Sequence, residues 1–440
     1  NHLIAMSDTH AVRPPLYYRL ATVMLAPIYR QMVIKKSKNK PTLKRELNER
    51  FAKHYQPPPV GRLGVIWCHA VSLGELNTVY PLLLKLLNHG YGLWVTSTTQ
   101  TGFERAAKLF DNEIRLGRVA HSFVPVDTPS VIDTFLTHVK PIAALFIETE
   151  LWANTLYACR KHGIKTLMIN ARLTQKSYLG YAKIAKVSQT MMANLDGIIA
   201  QDASSAKRFG QLGRVYIVQS DSLKWASVST LSDAQLAAVN ILTRQLNQAC
   251  KTYIWVMASS HDGEECIALK AHQQFLQKFP NALLILVPRH PERFEVVHQM
   301  CLQGGFLTAR RSMGETISSK TQIYLADTMG ELLSWYQVAQ IAVVGGSFVP
   351  IGGHNPIEPA SLATPVIMGA YDDNCKDLVE ALKQVGALVQ LPDEPNISEQ
   401  LFKSLLQASL SQWTGKSGAV LVQQKQRALQ EQFLFVLRMI

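Results

Sequence analysis

Several things are missing from this chain of 440 residues, and each absence removes a class of protein. The six cysteines, Cys68, Cys159, Cys250, Cys266, Cys301 and Cys375, include no Cys-x-x-Cys pair. That disfavours a zinc ribbon or a dithiol redox centre. Thiols in apolar runs, as in Val-Ile-Trp-Cys at 65–68, read as reduced and mostly buried in a cytoplasmic protein. No long segment is dominated by Gly, Pro or Ser, and hydrophobic residues make up 47%, so the chain is expected to fold throughout. Nothing resembles an Asp-x-Asp metal site, so no metal and no cofactor is expected. Acidic residues are scarce near the start. Residues 1–60 hold eleven Lys/Arg against Asp8, Glu46 and Glu49, and so carry most of the formal charge of +13. That argues against a basic groove for nucleic acid running through the molecule, and for a basic surface beside an anionic partner.

A clean membrane span, roughly 20 apolar residues with few charges, is also absent. The nearest approach is 16–34, LYYRLATVMLAPIYRQMVI, interrupted by Arg19, Pro27 and Arg30. Two arginines eleven apart fall within about 20° of each other on a helix of ~3.6 residues per turn, so both charges share one side. The expected arrangement is a helix lying in the headgroup region, with Lys35 to Lys53 facing anionic lipids. The alternative is a helix packed on the protein's own core. Basic residues continue after the segment and no small-residue cleavage site follows, which argues against a cleaved signal. Residues 1–5, ahead of Met6, look like a cloning remnant.

After Pro57-Pro58-Pro59, short apolar runs alternate with helical stretches. Strands are predicted at 63–68, 92–97, 119–125, 142–147, 164–169, 196–200 and 214–219, then at 252–258, 282–287, 321–325, 341–344 and 365–368. Fully apolar strands alternating with helices indicate α/β parallel sheets covered on both faces. The expected architecture is two doubly wound Rossmann-like domains facing a cleft, with ligand at the carboxyl ends of the strands. By analogy of fold this is the GT-B plan of glycosyltransferases. The expected divisions are a membrane-associated basic segment (1–60), an acceptor-binding domain (61–225), a linker (226–248), a donor-binding domain (249–414) and a helix crossing back to the first domain (415–440).

Gly345-Gly346-Ser347 follows the strand at 341–344, and Gly352-Gly353-His354-Asn355-Pro356-Ile357-Glu358 comes next. Asn355 as N-cap, Pro356 at the first helical position and Glu358 at the third predict a capped helix start. Such a terminus presents N–H groups to a phosphate. The plainer reading is a turn with a capping box.

The runs His-Ala-Val-Ser-Leu-Gly-Glu (69–75), Glu-Thr-Glu-Leu-Trp (148–152), Asn-Ala-Arg-Leu (170–173), Ser-Leu-Lys (222–224), Pro-Arg-His-Pro-Glu-Arg-Phe (288–294), Asp-Thr-Met-Gly-Glu-Leu (327–332) and Gly-Gly-Ser…Gly-Gly-His-Asn-Pro-Ile-Glu-Pro-Ala (345–360) resemble, in order, the 3-deoxy-D-manno-octulosonic acid (Kdo) transferases of lipopolysaccharide synthesis. The resemblance covers nearly the whole chain. It implies transfer of Kdo from a CMP-Kdo donor to a lipid A precursor (lipid IVA), with inversion, at the cytoplasmic face of the inner membrane of a Gram-negative-type bacterium. It also implies that Glu75 is the base that deprotonates the acceptor hydroxyl, at a helix N-terminus that favours its ionised form. Glu148 and Lys224 match the pair that stabilises the transition state. CMP is expected on Pro288, Arg289, Met329, Gly330, Glu331, Asn355, Pro356, Ile357 and Glu358, with Ser347 and His354 as second-rank candidates. Asp221, close to Lys224, departs from the family pattern and is expected to alter local charge. Two rival readings are another two-lobed nucleotide-sugar enzyme, such as a UDP-sugar epimerase, and a non-catalytic membrane-bound nucleotide-binding protein.

Overall fold

The computed structural model describes residues 10–226, 228 and 231–440. Residues 1–5 therefore lie outside the described part. The chain divides into two compact units, one of residues up to 227 together with 425–440, the other of 228–424.

In the first unit the strands are β1 (Val65–His69), β2 (Gly92–Ser97), β3 (Val119–Phe123), β4 (Ala143–Ile147), β5 (Lys165–Ala171), β6 (Gly197–Ala200) and β7 (Ile217–Gln219). They form one parallel sheet in the order β3-β2-β1-β4-β5-β6-β7. Side chains alternate across it. Trp67 enters one buried apolar layer, and its neighbours Ile66 and Cys68 enter the other. A parallel sheet covered on both faces needs such unbroken apolar strands. The indole of buried Trp67 donates to Thr96 Oγ1 at 2.9 Å, so its one polar atom is satisfied.

The second unit repeats the plan with β8 (Ile254–Ser260), β9 (Leu283–Pro288), β10 (Thr308–Arg310), β11 (Ile323–Leu325), β12 (Ile341–Val344), β13 (Val366–Met368) and β14 (Leu388–Gln390). Their order is β10-β11-β9-β8-β12-β13-β14, again parallel. Trp255 and Met257 face one layer, Val256 and Ala258 the other. In each sheet the strand order reverses beside its first strand, between β1 and β4 and between β8 and β12. Doubly wound sheets bind ligands at the carboxyl ends of the strands at such points.

The stretch 226–248 contains the helix Asp233–Gln248, started by a full capping box between Ser232 and Gln235. Its Leu242 and Leu246 are buried against the second sheet. The helical stretch from 415 is two helices, Lys416–Lys425 and Arg427–Met439. Phe435 and Val436 of the last helix join the apolar layer of the first unit.

The helix Leu16–Ser37 runs through Pro27, which lies in the basic N-terminal segment. Tyr18 Oη donates to Asp127 at 2.8 Å, and Asn154 Nδ2 donates to Thr22 Oγ1 at 3.0 Å, so one face is pinned to the first unit. Leu16, Leu20, Val23, Met24, Ile28 and Met32 are exposed on the rest. Among the described residues no helix is long and apolar enough to cross a membrane.

Candidate active site

Glu75 lies in the first turn of the helix Leu73–His89, directly after β1. Ser72 is the N-cap and accepts from Glu75 N–H at 3.4 Å, and Glu75 Oε2 accepts from Val71 N–H at 2.8 Å. The carboxylate thus reaches one residue beyond the position a capping box uses, closing the loop that carries it. The Ser72 side chain is a second hydrogen-bond partner of the same carboxylate. Burial lifts its pKa to about 7, opposed by the Val71 N–H and assisted by the nearby carboxylates of Glu148 and Glu150. The expected preference of the helix N-terminus for the ionised form is outweighed by desolvation.

Glu148 follows β4 immediately, so it shares the switch point with Glu75. Its backbone is left-handed, with φ 60°. That conformation costs a non-glycine residue about 1–3 kcal/mol when fully strained, and the surrounding main chain holds it. Glu148 N–H donates to Ile169 O at 3.2 Å, and Arg172 N–H donates to Glu148 O at 3.3 Å. Lys224 sits in the 3₁₀ turn Leu223–Ala226, which packs against the helix bearing Glu75. Buried Asn170 fixes that turn by accepting from Leu223 N–H at 2.8 Å, while Asn170 N–H donates to Gln432 of the last helix at 3.0 Å. Asp221 pairs with Lys425 at 2.5 Å, so its charge is directed to the last turn of another helix.

Three residues here escaped the sequence reading. Glu150 adds a second carboxylate beside Glu75, and burial raises its own pKa. Asn170 sets the Lys224 turn through a single acceptor. His69, wholly buried at the end of β1, is held neutral by burial, with its pKa lowered to about 3. Its ring lies 4.8 Å from that of Trp152. All three stand in the quoted runs 69–75, 148–152 and 170–173, where nothing gave them a role of their own.

In the second unit a cavity of about 300 Å³ lies at the carboxyl ends of β8, β9 and β12. Pro288, Arg289, Met329, Gly330, Asn355 and Glu358 all line it, together with His354 and Tyr336. Pro356 and Ile357 are buried behind it. Glu331 is committed elsewhere, taking a two-pronged ion pair from Arg311 at 2.7 and 3.1 Å that holds its pKa low. The helix after Gly330 starts at Leu332, not at the glycine.

The helix at 357 also differs from its expected start. It spans Ile357–Ser361 with Pro356 as N-cap and no capping box. Asn355 Oδ1 instead accepts from Ile357 N–H at 3.1 Å, a side-chain turn that replaces the cap. Glu358 is thereby spared from capping, and burial raises its pKa. Ser347 is structural: its Oγ donates to Val344 O at 2.6 Å and accepts from Gly369 N–H at 2.9 Å.

The glycine turn is held by a residue that sequence reasoning missed. Glu264 opens the helix after β8 and is fully buried. Its carboxylate accepts from His261 N–H at 2.8 Å, Gly346 N–H at 2.9 Å and Phe348 N–H at 3.0 Å. Only glycine fits at 345, where a Cβ would stand 2.5 Å from Ser259 O. Beside the turn, His261 and His354 stack and share a hydrogen bond of 2.8 Å between their Nε2 atoms. One imidazole must donate and the other accept, so at least one is neutral. Burial, His261 and Arg289 lower the pKa of His354 to about 4. Two neutral rings and a guanidinium make this end of the cavity suited to an anion. Among the described residues no group of three or more His, Cys, Asp or Glu is placed to hold a metal ion.

Residues 45–227 match the family model described as 3-deoxy-D-manno-octulosonic-acid transferase (kdotransferase). The 3-deoxy-D-manno-octulosonic acid transferase of Haemophilus influenzae is 35% identical over 398 residues, 89% of this chain and 90% of that protein. The solved C-terminal CMP-Kdo binding domain of WaaA from Acinetobacter baumannii is 34% identical, with a TM-score of 0.40, covering 45% of this chain and 100% of that one. The UDP-GlcNAc 2-epimerase of Neisseria meningitidis aligns over 84% of this chain and 99% of its own with a TM-score of 0.50. At 13% identity it shares the two-sheet fold.

Proposed function

The chain belongs to the 3-deoxy-D-manno-octulosonic acid transferase family, and we propose that it moves Kdo from CMP-Kdo onto a hydroxyl of a lipid A precursor by direct displacement with inversion. The observation that carries this reading is the state of Glu75: a carboxylate at the switch point whose pKa burial lifts to about 7. A general base works best when its pKa lies near the working pH. Glu75 would take the proton of the attacking hydroxyl as the new bond forms at the anomeric carbon. The bond from that carbon to the phosphate oxygen breaks, and CMP departs with the electron pair. Lys224 would balance the sugar carboxylate or the departing phosphate, and Glu148 would support positive charge on the ring.

In the second unit, Arg289 and the N–H groups around Gly330 and Asn355 would hold the phosphate of CMP. Glu358, free of any cap, would accept from the ribose hydroxyls. The lipid acceptor is supported by the exposed apolar side chains of the helix Leu16–Ser37, with Lys35 and Lys36 in its last turn. That pattern fits a helix resting on an anionic membrane surface, here the cytoplasmic face of the inner membrane.

Mass spectrometry of the product from CMP-Kdo and a tetraacylated lipid A precursor tests the reaction. Glu75→Gln should lower transfer by about 10²–10⁴-fold, the usual contribution of a general base, while CMP still binds. Transfer at the wild-type rate would remove Glu75 as base. Tighter binding of UDP than of CMP would favour the epimerase-like reading.

A further inference from the structure

A second cavity, of about 680 Å³, lies in the first unit between the end of the helix Leu16–Ser37 and the carboxyl end of β2. Nothing in the transfer chemistry uses it. Its inner wall holds Arg50, whose side chain is only 3% exposed. Arg50 Nε and Nη2 reach Glu46 Oε1 at 2.9 Å, and Nη2 also donates to Thr98 O at 2.6 Å. The guanidinium is set between the rings of Tyr29 and Phe123, at 5.9 and 5.0 Å. Its remaining nitrogen, Nη1, is buried without a partner, and so is Oγ1 of Thr98 on the same wall. Buried donors are almost always paired, so two orphans on one cavity wall call for a missing acceptor.

The electrostatics fix the sign of that acceptor. Lys35, Lys36 and Lys40 line the mouth, and with Arg50 they outnumber Glu46, the acid of the lining; Glu49, which also feels Arg50, is paired with Arg45. Glu46 is already spent, since its second oxygen accepts from Ser37 Oγ at 2.9 Å. Thr99 and Gln100 bring the N-terminus of the helix Gln100–Leu109 to the same cavity, adding the positive end of a helix dipole. A planar fork at depth, point charges at the rim and a helix terminus together suit a doubly charged, tetrahedral oxyanion.

We infer that this cavity is a phosphate-monoester site, separate from the CMP cavity. Thr98 and Thr99 N–H both donate to Val71 O, and Val71 N–H holds Glu75, so the site adjoins the loop of the proposed base. Three sources share the chemistry: a phosphate on the sugar of an acceptor, a phosphomonoester lipid headgroup, and free phosphate. The first source alone rests on the transferase reading.

The test measures binding by the full chain with no donor present, so a failure of the transfer chemistry cannot mimic a failure here. Glucosamine 1-phosphate and inorganic phosphate are titrated by calorimetry against glucosamine. Phosphatidylcholine vesicles doped with phosphatidic acid are compared in sedimentation with vesicles doped with phosphatidylglycerol, a diester. Saturable binding of glucosamine 1-phosphate above inorganic phosphate identifies a sugar phosphate. Equal binding of both identifies free phosphate, and preference for phosphatidic acid over phosphatidylglycerol identifies a headgroup. In each case Arg50→Lys and Thr98→Val should lose the monoester preference several-fold, and Lys35→Gln/Lys36→Gln should weaken all anionic binding. Thr98→Val keeps the shape of the side chain, so it reports on the site even where Arg50→Lys lowers the melting temperature. The inference is overturned if no monoester is preferred, or if Thr98→Val with an unchanged melting temperature binds every probe as the wild type does.

Discussion

Glu75 and Glu264 occupy the same station in two sheets of one design. Each lies in the first turn of the helix that follows the first strand of its unit, beside the point where the strand order reverses. Their fates differ because of what surrounds them. Glu264 is fully buried and spends both oxygens on three main-chain N–H groups, so it fixes the glycine turn. Glu75 ties down a single main-chain N–H, that of Val71, with the Ser72 side chain as its other partner. Burial raises the pKa of both. A carboxylate that ties three main-chain donors together is a structural part, whereas one that holds a single main-chain donor and has a pKa near neutrality is equipped to take a proton.

The contrast is open to direct attack. The largest effect expected is that of Glu75→Gln on transfer, with little change in fold. Glu264→Ala should do the reverse: it strands three buried donors, each worth about 1–3 kcal/mol. Chemical denaturation should show a loss of at least about 3 kcal/mol, with CMP binding falling alongside. Equal stability of Glu264→Ala and wild type would erase the distinction.

Gly345→Ala should come next. Its methyl carbon cannot share space with Ser259 O at 2.5 Å, so the turn must shift. A cost of about 1–3 kcal/mol is expected for such overpacking, read as a lower melting temperature and weaker CMP binding. The smallest effect concerns pH. The folded-state pKa of Glu75, about 7, stands above its ordinary 4.5, so the folded chain holds this proton more tightly than the unfolded one. The stability this contributes is complete below pH 4.5 and is lost as pH rises through 7. Glu75→Gln should therefore gain in melting temperature relative to wild type between pH 5 and pH 8, and transfer by the wild type should rise over the same window. A constant difference in melting temperature would show that Glu75 has an ordinary pKa.

Much of the architecture was legible because buried parallel strands are written as unbroken apolar runs. β1 to β9, β11, β12 and β13 were predicted within a few residues. β10 and β14 were not: both are three-residue strands at the sheet edge, half covered, with too few apolar positions to stand out. In the site, Glu75, Glu148 and Arg289 were singled out through the resemblance, Glu148 also as an acid ending an apolar strand and Arg289 as the cation after β9. Glu264 was not, since an acid in a first helical turn reads as ordinary until the loop it holds is seen 82 residues away. The pairing of Glu331 with Arg311 was hidden in the same way, Arg311 lying on a segment with no strong pattern. The start of the helix at 357 was misjudged because Asn355 has two uses, as a cap or as a turn, and only the main-chain path chooses between them.

The link from Gln432 through Asn170 to the turn of Lys224 bears on how this protein can be cut into parts. A fragment stopping at 227 would lose Phe435 and Val436 from its apolar layer and the partner of Asn170 N–H. A faithful single-unit version would splice 427–440 onto 10–226 through a short tether. Such a graft, with its circular dichroism and melting compared with those of the simple truncation, would measure how far the end of the chain is needed to seat Lys224.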